Sequence, residues 1–205
     1  MRKYLILFLS FFSIIGCIVV PKRVINNFND CFDGKETGLD SLINIKGFYY
    51  LGKDYNNIST GEFLFYDNGF VHTRNGEYWL KQDFEDSKYG SFGKYTVSND
   101  TIKTYIVSDP LGMGVNGYKV WFKIINYNSI ELIYRGDTKN ITEFNIERSK
   151  ENIKADSYYK ERGTIYKFSP IKSKPDINKT YIMNKKWFWC NEESYKKWKN
   201  KKKNE

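Results

Sequence analysis

Three cysteines, one histidine, a cluster of carboxylates and one glycine-rich run are the groups in this 205-residue chain whose types and spacing invite chemistry. Gly112-Met-Gly-Val-Asn-Gly117 matches the G-x-G-x-x-G spacing letter for letter. Dinucleotide binding, however, needs a helix to start at the last glycine so that its N-terminus meets the pyrophosphate. The next residues, Tyr118 to Ile125, are strand-like, so the run reads as a hairpin loop placed to flank the mouth of a barrel. His72 is the sole histidine and sits on a strand beside a hairpin, where a surface or rim position is expected. Without a second histidine, neither a zinc site nor a Ser-His-Asp triad has its parts. Asp83, Glu85 and Asp86 crowd one loop, but their spacing does not fit an EF-hand. No nucleophile–base pair, metal set or cofactor fingerprint remains. The chain is read as a non-enzyme without metal or cofactor.

The cysteines carry more. Arg2 and Lys3 precede an apolar run from Tyr4 to Ile15, the layout of a secretory leader. That run passes directly into Ile14-Ile15-Gly16-Cys17. A thiol is nucleophilic as its thiolate, and the small Gly16 gives a processing enzyme access to the adjoining peptide bond. This stretch resembles the lipobox of bacterial lipoproteins. The resemblance implies a diacylglyceryl group on Cys17, removal of residues 1–16, and a palmitate-type anchor holding the domain at a cell-envelope membrane, outside the cytoplasm. The lack of aspartate after Cys17 resembles lipoproteins sorted to the outer membrane, if the cell is Gram-negative. Each buried acyl CH₂ contributes about 0.8 kcal/mol, so two or three chains hold a domain stably. Ile18-Val19-Val20 prolong the apolar run to the lower edge of a membrane span, and an uncleaved signal anchor is the alternative. Lys22 and Arg23 would then oppose the orientation that Arg2 and Lys3 favour.

Cys31 and Cys190 remain. In an oxidising compartment they can pair. The bridge would close a loop of about 160 residues and contribute up to about 4–5 kcal/mol in the chain-entropy model. Two separate, partly buried thiols are the other reading.

The elements that must position these groups are mostly strands. Hydrophobic residues make up 40% of the chain, enough for a core, and 17 Tyr and 15 Phe favour pleated surfaces. Residues 21–44 read as a tether and lead-in. From Lys46 on, alternation of period two recurs: Ile102, Thr104 and Ile106; Ile130, Leu132 and Tyr134; Thr142, Phe144 and Ile146; Thr164, Tyr166 and Phe168. Asp67-Asn68-Gly69, Asn75-Gly76, Ser98-Asn99-Asp100 and Tyr127-Asn128 supply the turns. About nine strands in a meander, closed or nearly closed, are expected. A short helix, capped by Ser149 and ending near Gly163, comes after the main strands, and one more strand comes after it. Residues 169–184, with Pro170 and Pro175, read as an extended crossing segment.

Gly47-Phe48-Tyr49 resembles the Gly-x-Trp entry of lipocalins, with an aromatic in place of Trp. Gly93-Lys-Tyr-Thr-Val-Ser-Asn-Asp-Thr-Ile102 looks like a hairpin of bacterial lipocalin-like lipoprotein domains. The resemblance implies a mainly β, lipocalin-like barrel or near-closed sheet over residues 45–184. Aromatics such as Phe63, Phe65, Trp79, Trp121 and Phe122 are expected in a ligand cavity or the core.

Residues 185–205 form the last region. Eight lysines against three glutamates leave it at +5, and by subtraction residues 17–184 carry only about +2 of the total +9. The high charge is a property of the tail. Asn191 can cap a helix with Glu192 and Glu193 in its first turn, and Tyr195 and Trp198 share one face. Trp187, Trp189, Tyr195 and Trp198 among the lysines suit an anionic membrane surface or a partner, or packing on the barrel with the lysines in water. Nucleic acid is not expected outside the cytoplasm. The functional expectation is a membrane-anchored, non-catalytic binding module for a hydrophobic or amphipathic small molecule. The alternative is a solid-cored lipoprotein that docks an envelope protein.

Overall fold

The computed structural model describes residues 31–51, 61–75, 90–108, 116–137 and 141–203. Cys17, Trp79, Asp83, Glu85, Asp86 and most of the glycine-rich run lie outside that set. The described chain forms eight antiparallel strands: β1 Gly47–Leu51, β2 Gly61–Phe65, β3 Phe70–Asn75, β4 Ser91–Ser98, β5 Thr101–Ser108, β6 Asn116–Asn126, β7 Ser129–Gly136 and β8 Ile165–Pro170. Each pairs with the next, and β8 returns to β1, so the sheet closes into a barrel. Helices α1 (Glu143–Ala155) and α2 (Ser157–Arg162) lie between β7 and β8, and α3 (Glu192–Lys203) ends the described chain. This is the expected mainly β, lipocalin-like architecture.

The closing seam depends on Gly47. It faces Pro170 across β1 and β8, and a Cβ there would lie 1.9 Å from the Ser169 carbonyl oxygen. Three hairpins turn tightly at one end of the barrel, at residues 67–69, 99–100 and 127–128. Gly69 and Asn99 take the positive φ these turns require, 82° and 54°. A single turn of 3-10 helix at Leu39–Ser41 plugs the same end. Leu39 and Ile43 are fully buried there, and the Asn44 N–H donates to the Tyr127 oxygen at 2.8 Å.

Two cores flank the barrel wall. Tyr49, Phe63, Phe65, Tyr95, Ile102, Ile106, Val120, Phe122, Leu132 and Tyr166 fill the inside. Phe48, Leu64, Phe70, Phe92, Tyr105 and Val107 point out of β1–β5, and the C-terminal segment covers them with Ile182, Met183, Phe188 and Trp189. Instead of crossing as an extended strand, residues 177–188 make three successive 3-10 turns. Cys31 and Cys190 are bonded to each other and fasten the strap's end to the lead-in.

Two expected elements change. The alternation at residues 141–147 predicts a strand ending in Glu147, but Thr142 is the N-cap of α1. Its hydroxyl accepts from the Asn145 N–H, and the Asn145 side chain accepts in return from the Thr142 N–H. The cap therefore lies seven residues before Ser149. Three alternating residues cannot distinguish a strand from a first helical turn, and Phe144 is 71% exposed on α1 rather than buried in a sheet.

The second change is in β7. Trp121 pairs with Tyr134 but Phe122 with Leu132, so Ile133 is an extra residue and everything beyond it changes face. Ile130 and Leu132 point inward as expected. Tyr134 points outward, against Trp121.

Candidate functional site

The barrel is filled near its plugged end and hollow at the other. A cavity of about 320 Å³ opens there, lined by Phe63, Thr73, Tyr118, Val120, Leu132, Arg135, Asp156, Tyr158, Tyr159 and Tyr166. Strands β2, β3, β6, β7 and β8 supply the walls, and α2 brings Tyr158 and Tyr159 over the opening. The Asp156 carboxylate caps α2 by accepting from the Tyr158 N–H at 2.9 Å, which fixes that helix over the mouth. Phe63, Phe122 and Tyr166 make an edge-to-face floor, with ring centres 4.8–5.6 Å apart.

Among the described residues that line the cavity, Arg135 is the cation. The extra residue in β7 turns it inward, opposite Val120. Its Nη1 donates to the Tyr159 hydroxyl at 3.0 Å, and its guanidinium lies 5.8 Å from the Tyr118 ring centre. Its backbone N–H donates to the Ser149 hydroxyl of α1 at 3.0 Å. Burial disfavours the charge of Arg135, but the oxygens of Tyr159, Tyr118 and Tyr166 outweigh that, and the net direction is upward. Burial holds the Tyr166 and Tyr118 phenols above their usual range, so both stay neutral hydrogen-bonding groups. Among the described residues no carboxylate pairs with Arg135. A second hollow, a groove of about 590 Å³ between β7 and α1, shares Arg135, Asp156 and Tyr159 with the cavity and adds Asn145, Arg148 and Asn152.

The sequence-derived residues divide among several places. Phe63 lines the cavity; Phe65 and Phe122 are buried in the inner core beneath it. Trp121 belongs to neither: Val120 and Phe122 point inward, so period two puts Trp121 outside, half-buried under the Lys103 ammonium and against Tyr134. Arg135 escaped sequence reasoning because strict alternation along β7 puts it on the wrong face, and nothing in the local sequence singles out Tyr118 on β6 or Tyr159 on α2. Gly117 stands within β6, so a strand comes after the glycine-rich run and the helix a dinucleotide needs is not there. Among the described residues no cluster of three or more His, Cys, Asp or Glu side chains could hold a metal ion.

Two polar groups sit buried on the outer wall. His72, expected at a surface or rim, is fully buried on β3 and stacks on Phe92 at 4.4 Å. Glu62 is fully buried on β2 with neither carboxyl oxygen hydrogen-bonded, and burial pushes its pKa up to about 9.

The tail aromatics face the barrel. The Trp189 indole N–H donates to the Met183 oxygen at 3.0 Å, and that of Trp198 to Asn178 Oδ1 at 2.7 Å. Trp198 also lies 5.6 Å from Trp189 and stacks on Tyr195 at 6.0 Å, while Trp187 packs half-buried beside them. Asn191 caps α3 through the Ser194 N–H at 2.8 Å; Lys196, Lys197 and Lys199 are exposed, and the Lys202 ammonium donates to the Asn178 oxygen at 2.8 Å. No helix among the described residues is long and apolar enough to cross a membrane. No family model matches the chain, and no curated protein or solved structure shows significant similarity to it.

Proposed function

We propose that this chain is an exported, lipid-anchored binding module whose barrel takes a small amphipathic molecule and performs no chemistry on it. The observation that carries the reading is the hollow end of an otherwise filled barrel. Its apolar floor, ringed by phenols and one arginine, suits a molecule with an apolar body and a polar end. Anchoring rests on the lipobox-like Ile14-Ile15-Gly16-Cys17 behind a leader. Labelling by palmitate that persists in a Cys17→Ala variant would overturn the anchoring.

Binding is tested by native mass spectrometry of the full chain released from detergent. A discrete extra mass, lost on denaturation, is the expected result. A second reading, a docking lipoprotein that works through its surface, draws on the aromatic filling of the lower barrel by Tyr49, Phe65, Tyr95 and Phe122. A clean apo mass would favour it.

A further inference from the structure

We infer that the ligand of the barrel mouth is a small organic anion, a carboxylate with a short apolar body, whose head is held by Arg135. The inference rests on the binding-module reading and gives that site its ligand class.

Four observations converge on Arg135. The first is the extra residue at Ile133. Without it, β7 would keep its alternation, Tyr134 would face the interior and Arg135 the outside. Bulges at barrel rims commonly re-aim a side chain in this way. Here the side chain brought in is the charged one.

Second, three separate elements fix this residue, one through its backbone and two through its side chain. Ser149 of α1 takes its backbone N–H, Tyr159 of α2 accepts from Nη1, and Tyr118 of β6 lies beside the guanidinium. Such fixing lowers the ordering penalty that an unbound, mobile arginine would meet on binding.

Third, the guanidinium lacks a carboxylate partner among the described residues; Tyr159 and Tyr118 cover part of it, and the residue as a whole stays exposed at the mouth. A partly desolvated cation without a counter-ion favours an incoming anion, and the planar fork of arginine matches a carboxylate through two parallel hydrogen bonds. Asp156 is the carboxylate that lines the cavity, and its Oδ1 is engaged by the Tyr158 N–H.

Fourth, the floor below Arg135 is apolar and small. Phe63, Val120, Leu132 and Tyr166 form it, and about 320 Å³ is at the low end of ligand-sized cavities. A short or compact apolar body matches that volume.

The test compares two probes of the same shape, 4-phenylbutyrate and 4-phenylbutanol. Calorimetric titration uses the full chain in neutral phosphatidylcholine nanodiscs, with empty nanodiscs as the blank. The acid is expected to bind at least tenfold more tightly than the alcohol. Arg135→Gln should bring the acid to the alcohol's affinity, Arg135→Lys should retain part of the preference, and the double change Lys201→Ala with Lys202→Ala should leave it unchanged.

Equal binding of acid and alcohol by the unmodified chain would overturn the anionic head but leave the binding module standing. Binding of neither would remove both for ligands of this class. Loss of acid binding in the double lysine variant, with Arg135→Gln unaffected, would place the anion on the tail and overturn the inference. The acid-to-alcohol comparison needs no substitution, so a variant that fails to fold does not blunt it.

Discussion

Phe32 and Trp189 lie side by side in parallel as an isolated β-bridge, their rings edge to face at 5.1 Å. The Phe32 N–H donates to the Phe188 oxygen and its own oxygen accepts from the Cys190 N–H, both at 2.9 Å. The strap and the lead-in thus meet through backbone hydrogen bonds, edge-to-face rings and, one residue away on each side, the Cys31–Cys190 bond.

Replacing both cysteines by serine is expected to lower stability by about 2–5 kcal/mol, because the unfolded chain regains the freedom that a loop of this length removes. The urea midpoint should fall, and dithiothreitol should produce the same fall in the unmodified protein.

The outer core is expected to matter as much as the inner one. Phe122→Ala inside and Phe188→Ala outside each empty a fully buried ring site and should each cost about 3–5 kcal/mol. Trp121→Ala, although next to Phe122 in sequence, should cost only about 1 kcal/mol because its ring is already half in water. Equal losses at positions 121 and 122 in chemical denaturation would contradict the assignment of faces.

Gly47→Ala should be among the most damaging small changes. The added methyl collides with the Ser169 backbone, which cannot yield without opening the seam between β1 and β8. We expect a loss above about 3 kcal/mol or failure to fold, read by circular dichroism, whereas Gly38→Ala meets no neighbouring atom and should cost only the left-handed strain of a side chain at φ 71°, about 1 kcal/mol.

Glu62 sets a pH dependence with a definite sign. Its carboxyl keeps its proton in the fold up to about pH 9, while in the unfolded chain it ionises near 4.5. The contribution to stability is therefore complete below pH 4.5 and declines as pH rises towards 9, by at most about 1.4 kcal/mol per pH unit. Glu62→Gln should remove this slope, so the variant and the unmodified protein should diverge between pH 5 and pH 8 in urea titrations, with the variant the more stable at pH 8. An unchanged difference between the two pH values would show that the carboxyl reaches a partner or water.

Much of the barrel was legible because hairpins are local. Asp67-Asn68-Gly69, Ser98-Asn99-Asp100 and Tyr127-Asn128 turn the chain where their chemistry said, and Ile102, Thr104 and Ile106 share the inner face that their spacing implied. Asn191 was readable as a cap for the same reason. The candidate site was not readable, because a single extra residue at Ile133 reverses the faces beyond it and leaves no mark in composition. The start of α1 was masked by the chance alternation of Thr142, Phe144 and Ile146, which the Thr142–Asn145 capping pair overrode. The strap carries neither a helical nor a strand period. Its place over β1–β5 comes from long-range contacts: burial, hydrogen bonds such as that from the Tyr66 hydroxyl to the Pro175 oxygen, and the Cys31–Cys190 bond. Nothing in the residues around Glu62 marks it as buried; only the tertiary structure reveals that its outward face is covered.

The bond between Cys31 and Cys190 has a topological consequence. It makes the chain between them a covalent ring of polypeptide that contains every strand of the barrel. A single protease cut anywhere in that ring opens it without releasing a fragment: the molecule keeps its full mass, plus the water of hydrolysis, and separates into two pieces only on reduction. Within the ring the ends of the chain have in effect already been joined, so new termini cut into one of the barrel's connections would leave the order of strands around it unchanged.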